Sequence, residues 1–231
     1  MNIVKLGTDP ELFLKIGNAF VSAAGFFPRT KKEPYPLECG AVQVDGNALE
    51  FNIDAAEDED SFVKNIKTVM AQLTEMVKLA DKDMQIVFTP YAEFDPEYWK
   101  TVPAEAKILG CDPDFNVDGA MNPNPSEFLE GRPIRTAAGH VHIGWGEDMD
   151  GDGHFNNCVA VSRFFHNKGV YAPVREDERA RLDFYGGNGA FRPKKYGVEL
   201  RSPSNVWVEN EDSQRLMFRQ TRETFREMTG M

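Results

Sequence analysis

The stretch Ala41-Val-Gln-Val-Asp45-Gly46-Asn47-Ala-Leu-Glu50-Phe-Asn52-Ile53 reads as two strands folded about a tight turn. Asp-Gly-Asn supplies residues that tolerate a hairpin backbone. The flanking runs, Ala41–Val44 and Ala48–Ile53, are rich in β-forming residues. Glu50 lies among large apolar neighbours. Side chains alternate across a strand, so Glu50 and Asn52 project from the same face. A carboxylate held there is costly to desolvate unless something binds it.

Three more segments repeat this spacing of two functional side chains around one residue: Asp9-Pro-Glu11, His140-Val-His142 and Glu199-Leu-Arg201. Carboxylates paired on one face suit hard cations such as Mg²⁺ or Mn²⁺, and an exposed acidic turn is the plainer reading of Asp9 and Glu11. Pro10 removes one ladder N–H, which places this pair at a strand end or sheet rim. Two of the four histidines fall in one dipeptide spacing, which points to metal ligation or phosphate contact, against a hydrogen-bonded core pair. Glu199 and Arg201 form either a simple ion pair or a carboxylate ligand beside a phosphate-binding fork. The upstream run Phe191-Arg192-Pro-Lys194-Lys195-Tyr196 adds positive charge that favours the fork.

Outward from these segments, a hairpin is expected over Glu11–Ile16 and Ala19–Ser22 about Gly17-Asn18, and a proline-rich loop over 25–38. Phe62, Ile66, Val69, Met70, Leu73, Met76, Val77 and Ala80 form one helical stripe, preceded by acids that suit the helix N-terminus. Gln85–Pro90, Gly139–Trp145 and Tyr196–Ser202 read as strands. Helices are expected over Asn156–Asn167 and from about Asp212 to Met228. The segment 101–135 carries five prolines and reads as a long loop, a length that suits a cover over a site. Interspersed strands and helices with two hairpins imply one α+β domain over residues 1–231 with substantial antiparallel pairing.

The net charge of −11 argues against a nucleic-acid or anionic-membrane partner. Cys39, Cys111 and Cys158 are dispersed and odd in number, so reduced thiols in a cytoplasmic protein are expected. The N-terminus starts directly into a strand with no leader pattern, and no apolar run is long enough to span a bilayer. Two motifs fall short of their templates. Asp148-Met-Asp150-Gly-Asp152-Gly153 begins like a calcium-binding EF-hand loop, but Val159 stands where the bidentate carboxylate belongs. Tyr185-Gly-Gly-Asn-Gly-Ala190 has no following Gly-Lys-Ser/Thr and reads first as a plain turn, with a mobile phosphate-contacting loop near Arg181, Arg192 and Lys194 as the alternative.

Taken in order, Gly7-Thr-Asp9-Pro-Glu11, Asp45-Gly-Asn-Ala-Leu-Glu50-Phe-Asn, Gly110-Cys-Asp-Pro-Asp114-Phe-Asn, Arg135-Thr-Ala-Ala-Gly-His140-Val-His142 and Phe191-Arg192-Pro-Lys-Lys-Tyr-Gly-Val-Glu199-Leu-Arg201 resemble the glutamine synthetase-like carboxylate–amine ligases. This superfamily includes the glutamate–cysteine ligases, and the resemblance is stronger to the phage-type COOH·NH2 ligase group. It implies a curved, mostly antiparallel sheet shaped as a funnel, with helices packed on its outer face and ATP and Mg²⁺ or Mn²⁺ bound on its concave face. It implies Glu11 and Glu50 as ligands of one metal, and Asp9, His140 and Glu199 as ligands of another. His142 resembles a nucleotide contact, Arg201 a phosphate contact with a catalytic role, and Arg192 a second such arginine. The implied reaction joins a small-molecule or peptide carboxylate to an amine through an acyl phosphate, in the host cytoplasm for a phage protein, with the oligomeric state open. Asp9 departs from the glutamate usual in the superfamily, and nothing here matches the extra N-terminal domain of glutamine synthetase, so glutamine synthesis itself is not expected. Two other readings stand beside this one. A cupin-like metalloenzyme would use His140, His142 and Glu147, but needs a further histidine that the chain lacks after His166. A non-catalytic phage protein could bind a nucleotide or peptide at the same face.

Overall fold

The longest strand, β1 (Lys5–Ile16), is the hub around which the fold is assembled in this computed structural model. The residues described are 4–26, 33–108, 114–123, 129 and 131–230. The chain turns from β1 into β2 (Ala19–Val21), then forms β3 (Tyr35–Leu37), β4 (Gly40–Asp45) and β5 (Ala48–Ile53). Helix α1 (Glu59–Ala80) starts where the Asp58 side chain accepts the Ser61 N–H, satisfying one orphan donor of the first turn. There follow β6 (Met84–Val87), β7 (Tyr91–Glu93), α2 (Pro96–Thr101), α3 (Ala104–Lys107), β8 (Ile134–Thr136) and β9 (Gly139–Gly144). The last third comprises α4 (Gly151–Lys168), α5 (Glu176–Leu182), β10 (Phe191–Lys194), β11 (Gly197–Leu200), a 3-10 turn at Asn205–Val208 and α6 (Glu211–Thr229).

The main sheet runs β10-β11-β9-β1-β5-β4-β3, with β2 and β6 also pairing with β1, while β7 and β8 pair apart from it. All these pairings are antiparallel, as the two hairpins lead one to expect. Gly46 supplies the left-handed backbone of the β4–β5 turn, at φ +57°. Alternation then divides the side chains between two faces. Leu6, Leu12, Leu14, Val42, Leu49, Phe51, Val141, Ile143, Val198 and Leu200 join α1, α4 and α6 in one core. On the other face, at one end, Phe13 and Ala48 join Phe94, Trp99 and Val102 in a smaller cluster.

The structure corrects several expectations. Pro10 is not at a strand end; it lies inside β1, opposite Gly139 of β9. On the other edge of β1 the pairing shifts by one residue between Leu6–Ala56 and Glu11–Glu50, and proline is tolerated beside such an irregularity. Tyr35–Leu37 is a strand inside the expected loop, and its Pro36 is tolerated because β3 is the edge strand. Segment 101–135 contains α3 and the start of β8, while 109–113, 124–128 and 130 lie outside the described residues. Helix α4 begins at Gly151, so the acidic Asp148–Gly153 motif runs into a helix rather than closing a loop. Cys39 and Cys158 are free thiols, and Cys111 lies outside the described residues. No helix among the described residues is long and apolar enough to cross a membrane.

Candidate functional site

Strand register aligns residues that are far apart in sequence. Across β10, β11, β9 and β1 the opposed residues are Arg192, Glu199, His142 and Gly7. One step along, His140 opposes Asp9, and Arg201 follows the end of β11. A further step opposes Glu11 to Glu50, and Glu50 to Gln43. Three of the four sequence pairs therefore share the face that the main helices leave uncovered, together with Glu50. Asn52 is exposed and opposes Ala41, so it takes no part.

Asp9 is the centre of a hydrogen-bonded chain. Its Oδ1 lies 3.0 Å from His140 Nδ1 and 2.9 Å from His142 Nε2. The other nitrogen of His142 meets the Tyr196 hydroxyl, and the Tyr196 ring stacks on the imidazole. The other nitrogen of His140 lies 3.0 Å from the Tyr185 hydroxyl, which also accepts from Arg201 Nη2. Burial, opposed only in part by Asp9, pushes His140 down to about 4. Neutral His140 then donates from Nδ1 to Asp9 and accepts at Nε2 from Tyr185. Burial acts in the same direction on His142, but the Asp9 charge and hydrogen bond outweigh it and raise its pKa. Burial would raise Asp9, yet the charges of His142 and His140 and their hydrogen bonds hold it well below the usual carboxylate range.

Asp9, His142 and Glu199 each bring a potential ligand atom within 4.8 Å of the others. Two carboxylates and one imidazole are a donor set for Mg²⁺, Mn²⁺ or Zn²⁺. The resemblance assigns the imidazole ligand to His140 and a nucleotide contact to His142. Here His142 completes the triad, while His140 stands beside it, 3.6 Å from Glu199 Oε1, with Nε2 engaged by Tyr185. Glu11 and Glu50 lie outside the triad. One oxygen of each is held, Glu11 Oε2 by the Ala138 N–H at 2.8 Å and Glu50 Oε2 by Gln43 Nε2 at 2.9 Å.

Glu199 is fully buried and meets three cations. Arg201 Nη1 pairs with Oε1, Arg192 Nη1 lies 3.5 Å from the same oxygen, and Lys194 Nζ lies 2.6 Å from Oε2. Arg201 Nε also donates to Asp114 Oδ2 at 3.0 Å, the point at which segment 101–135 reaches the site. A bare dication here is opposed by three positive neighbours, whereas a dication carrying phosphate oxygens brings the negative charge that matches them. The site thus fits a metal–phosphate group better than a metal alone. Glu147 is exposed and is not one of the triad.

Sequence reading missed Lys194, Tyr185 and Tyr196 as site members and gave Asp114 no role. Lys194 was visible as positive charge, and its spacing from Arg192 on one strand was the available signal. Tyr185 was concealed by the glycines next to it. In comparisons with known proteins, no family model matches this chain and no curated protein matches it.

Proposed function

We propose that the protein is an ATP- and Mg²⁺/Mn²⁺-dependent carboxylate–amine ligase that forms an amide or peptide bond, built on a glutamine synthetase-like sheet. The observation that carries this reading is the meeting of a carboxylate–imidazole triad with Arg192, Lys194 and Arg201 on one sheet face. A free carboxylate is a poor acyl donor because oxide is its leaving group. Bound ATP and a divalent ion would supply the phosphoryl transfer that converts it to an acyl phosphate with ADP leaving, and attack by an amine would then expel inorganic phosphate. The chain's own residues divide this work. Asp9, Glu199 and His142, with His140 adjacent, hold the ion, and Glu11 and Glu50 offer carboxylates for a second. Arg192, Lys194 and Arg201 hold phosphate oxygens. In this reading segment 101–135, whose Asp114 pairs with Arg201, would help exclude water from the activated acyl group.

The test is ADP release with Mn²⁺ or Mg²⁺ and a panel of amino-acid and peptide carboxylates and amines. ADP formation that requires both partners is expected. Glu199→Ala and His142→Ala should each lower it by about a hundredfold or more, with cooperative melting retained. Wild-type turnover in either variant contradicts the metal assignment. Nucleotide binding without metal-dependent ADP release across the panel points instead to a non-catalytic binding protein.

A further inference from the structure

Arg181, in the acid-rich helix α5, is fully buried. Its guanidinium meets backbone instead of a carboxylate: Nη1 donates to the Ser202 carbonyl at 2.9 Å and Nη2 to the Arg201 carbonyl at 3.0 Å. Burial, joined by the Arg201 charge and opposed in part by Glu11 and Glu178, pulls it down to about 10, so this placement has a cost that its contacts must offset. The ring of Tyr185 packs against two guanidinium groups, 5.1 Å from Arg181 and 5.2 Å from Arg201. Its hydroxyl joins Arg201 Nη2 to His140 Nε2. Gly186, at φ +78°, is where the chain passes closest: a Cβ there would lie 2.8 Å from the Arg201 carbonyl oxygen and from Arg181 Nη2. A larger residue would separate these groups.

We infer that Tyr185, braced by Arg181 across Gly186, is a positioning residue that sets the Arg201 guanidinium for the phosphate of a bound nucleotide. This rests on the ligase reading of the same site. The β11 strand ends at Leu200, so Arg201 lies beyond the reach of the strand ladder. The α5 helix and its glycine loop fix it instead. They hold the backbone of Arg201 through Arg181 and through the Arg201 N–H, which donates to the Ala190 carbonyl at 2.8 Å. Tyr185 fixes the side chain from the other end. Its hydroxyl also meets His140, which stands beside the Asp9, His142 and Glu199 triad and not in it.

The experiment compares wild type, Tyr185→Phe, Arg201→Lys and the double variant. Mn²⁺ binding is followed by paramagnetic resonance, Mn²⁺·ATP binding by calorimetry, and folding by thermal melting. Tyr185→Phe should leave Mn²⁺ affinity within about twofold, yet weaken Mn²⁺·ATP by about tenfold, the scale of a lost charge-assisted hydrogen bond. In the Arg201→Lys background the same change should cost little more, because its effect passes through Arg201. Equal losses in both backgrounds, or no loss, overturn the positioning role while leaving the ligase reading standing. Wild type that binds Mn²⁺ but no ATP overturns the ligase reading and this role with it. Should Tyr185→Phe fail to fold, 3-fluorotyrosine at 185 keeps the ring and weakens the hydroxyl as an acceptor. A smaller loss in the same direction is then expected, and unchanged Mn²⁺·ATP affinity overturns the role.

Discussion

The two faces of the central sheet bury very different groups from the same strands. On the helix side Leu49, Phe51, Val141, Ile143, Val198 and Leu200 pack against α1, α4 and α6. On the opposite side Glu50, His140 and Glu199 are 9%, 3% and 0% exposed, as buried as many core residues. The apolar face gains stability from area removed from water, a non-directional term that tolerates exchange among similar side chains. The polar face is directional. Each buried group there depends on a particular partner, and removing one strands the other. Stability therefore resides mainly in one face and the proposed chemistry in the other, separated by single steps along each strand.

The sharpest contrast is between neighbours on β5. Phe51→Ala opens a cavity beneath the helices and should cost about 3–5 kcal/mol by chemical denaturation. Asn52→Ala, one residue on and exposed, should stay within about 0.5 kcal/mol. Similar costs for the two would break the assignment of faces.

A smaller effect probes the polar face by pH. His140 is held neutral in the folded protein, with its pKa at about 4, below the ordinary value of 6.5. The unfolded chain takes up a proton that the native state refuses, so stability falls as pH drops from 6.5 toward 4. Between pH 7 and pH 5 this should remove about 2 kcal/mol, and His140→Gln should flatten that limb. Asp9 acts outside this window, whereas His142 acts in its upper part and in the opposite direction. Asp9, whose pKa is depressed, loses its contribution only at more acid pH, and His142, whose pKa is raised, loses its own as pH rises above 6.5. An unchanged slope in His140→Gln would mean that the imidazole is charged in the fold.

Much of this division was legible in the sequence because alternation is a local property. The i, i+2 pairs, the hairpin about Gly46 and the α1 stripe each require only neighbouring residues, and each is present in the fold. Register is not local. Nothing in the spacing of Arg192 or Glu199 states that they oppose each other, or that Glu199 opposes His142, because those pairings depend on how separate strands align. The same limit applies to the two histidines: their shared face is readable, but which of them joins Asp9 and Glu199 in a group whose ligand atoms all lie within 4.8 Å of one another depends on strand packing. Arg181 is legible as positive charge near the glycine loop, but its burial is not, because that depends on contact with the chain beyond β11.

The central claim is that the polar face is built for a metal carrying phosphate and not for a metal alone. The most direct measurement is the affinity of the wild-type protein for Mn²⁺ with and without a non-hydrolysable ATP analogue. The three cations around Glu199 should oppose the bare ion, so Mn²⁺ should bind about tenfold or more tightly when the analogue is present, and the analogue should gain equally from Mn²⁺. Tight Mn²⁺ binding that the analogue leaves unchanged, after correction for the Mn²⁺ it chelates in solution, would contradict the account.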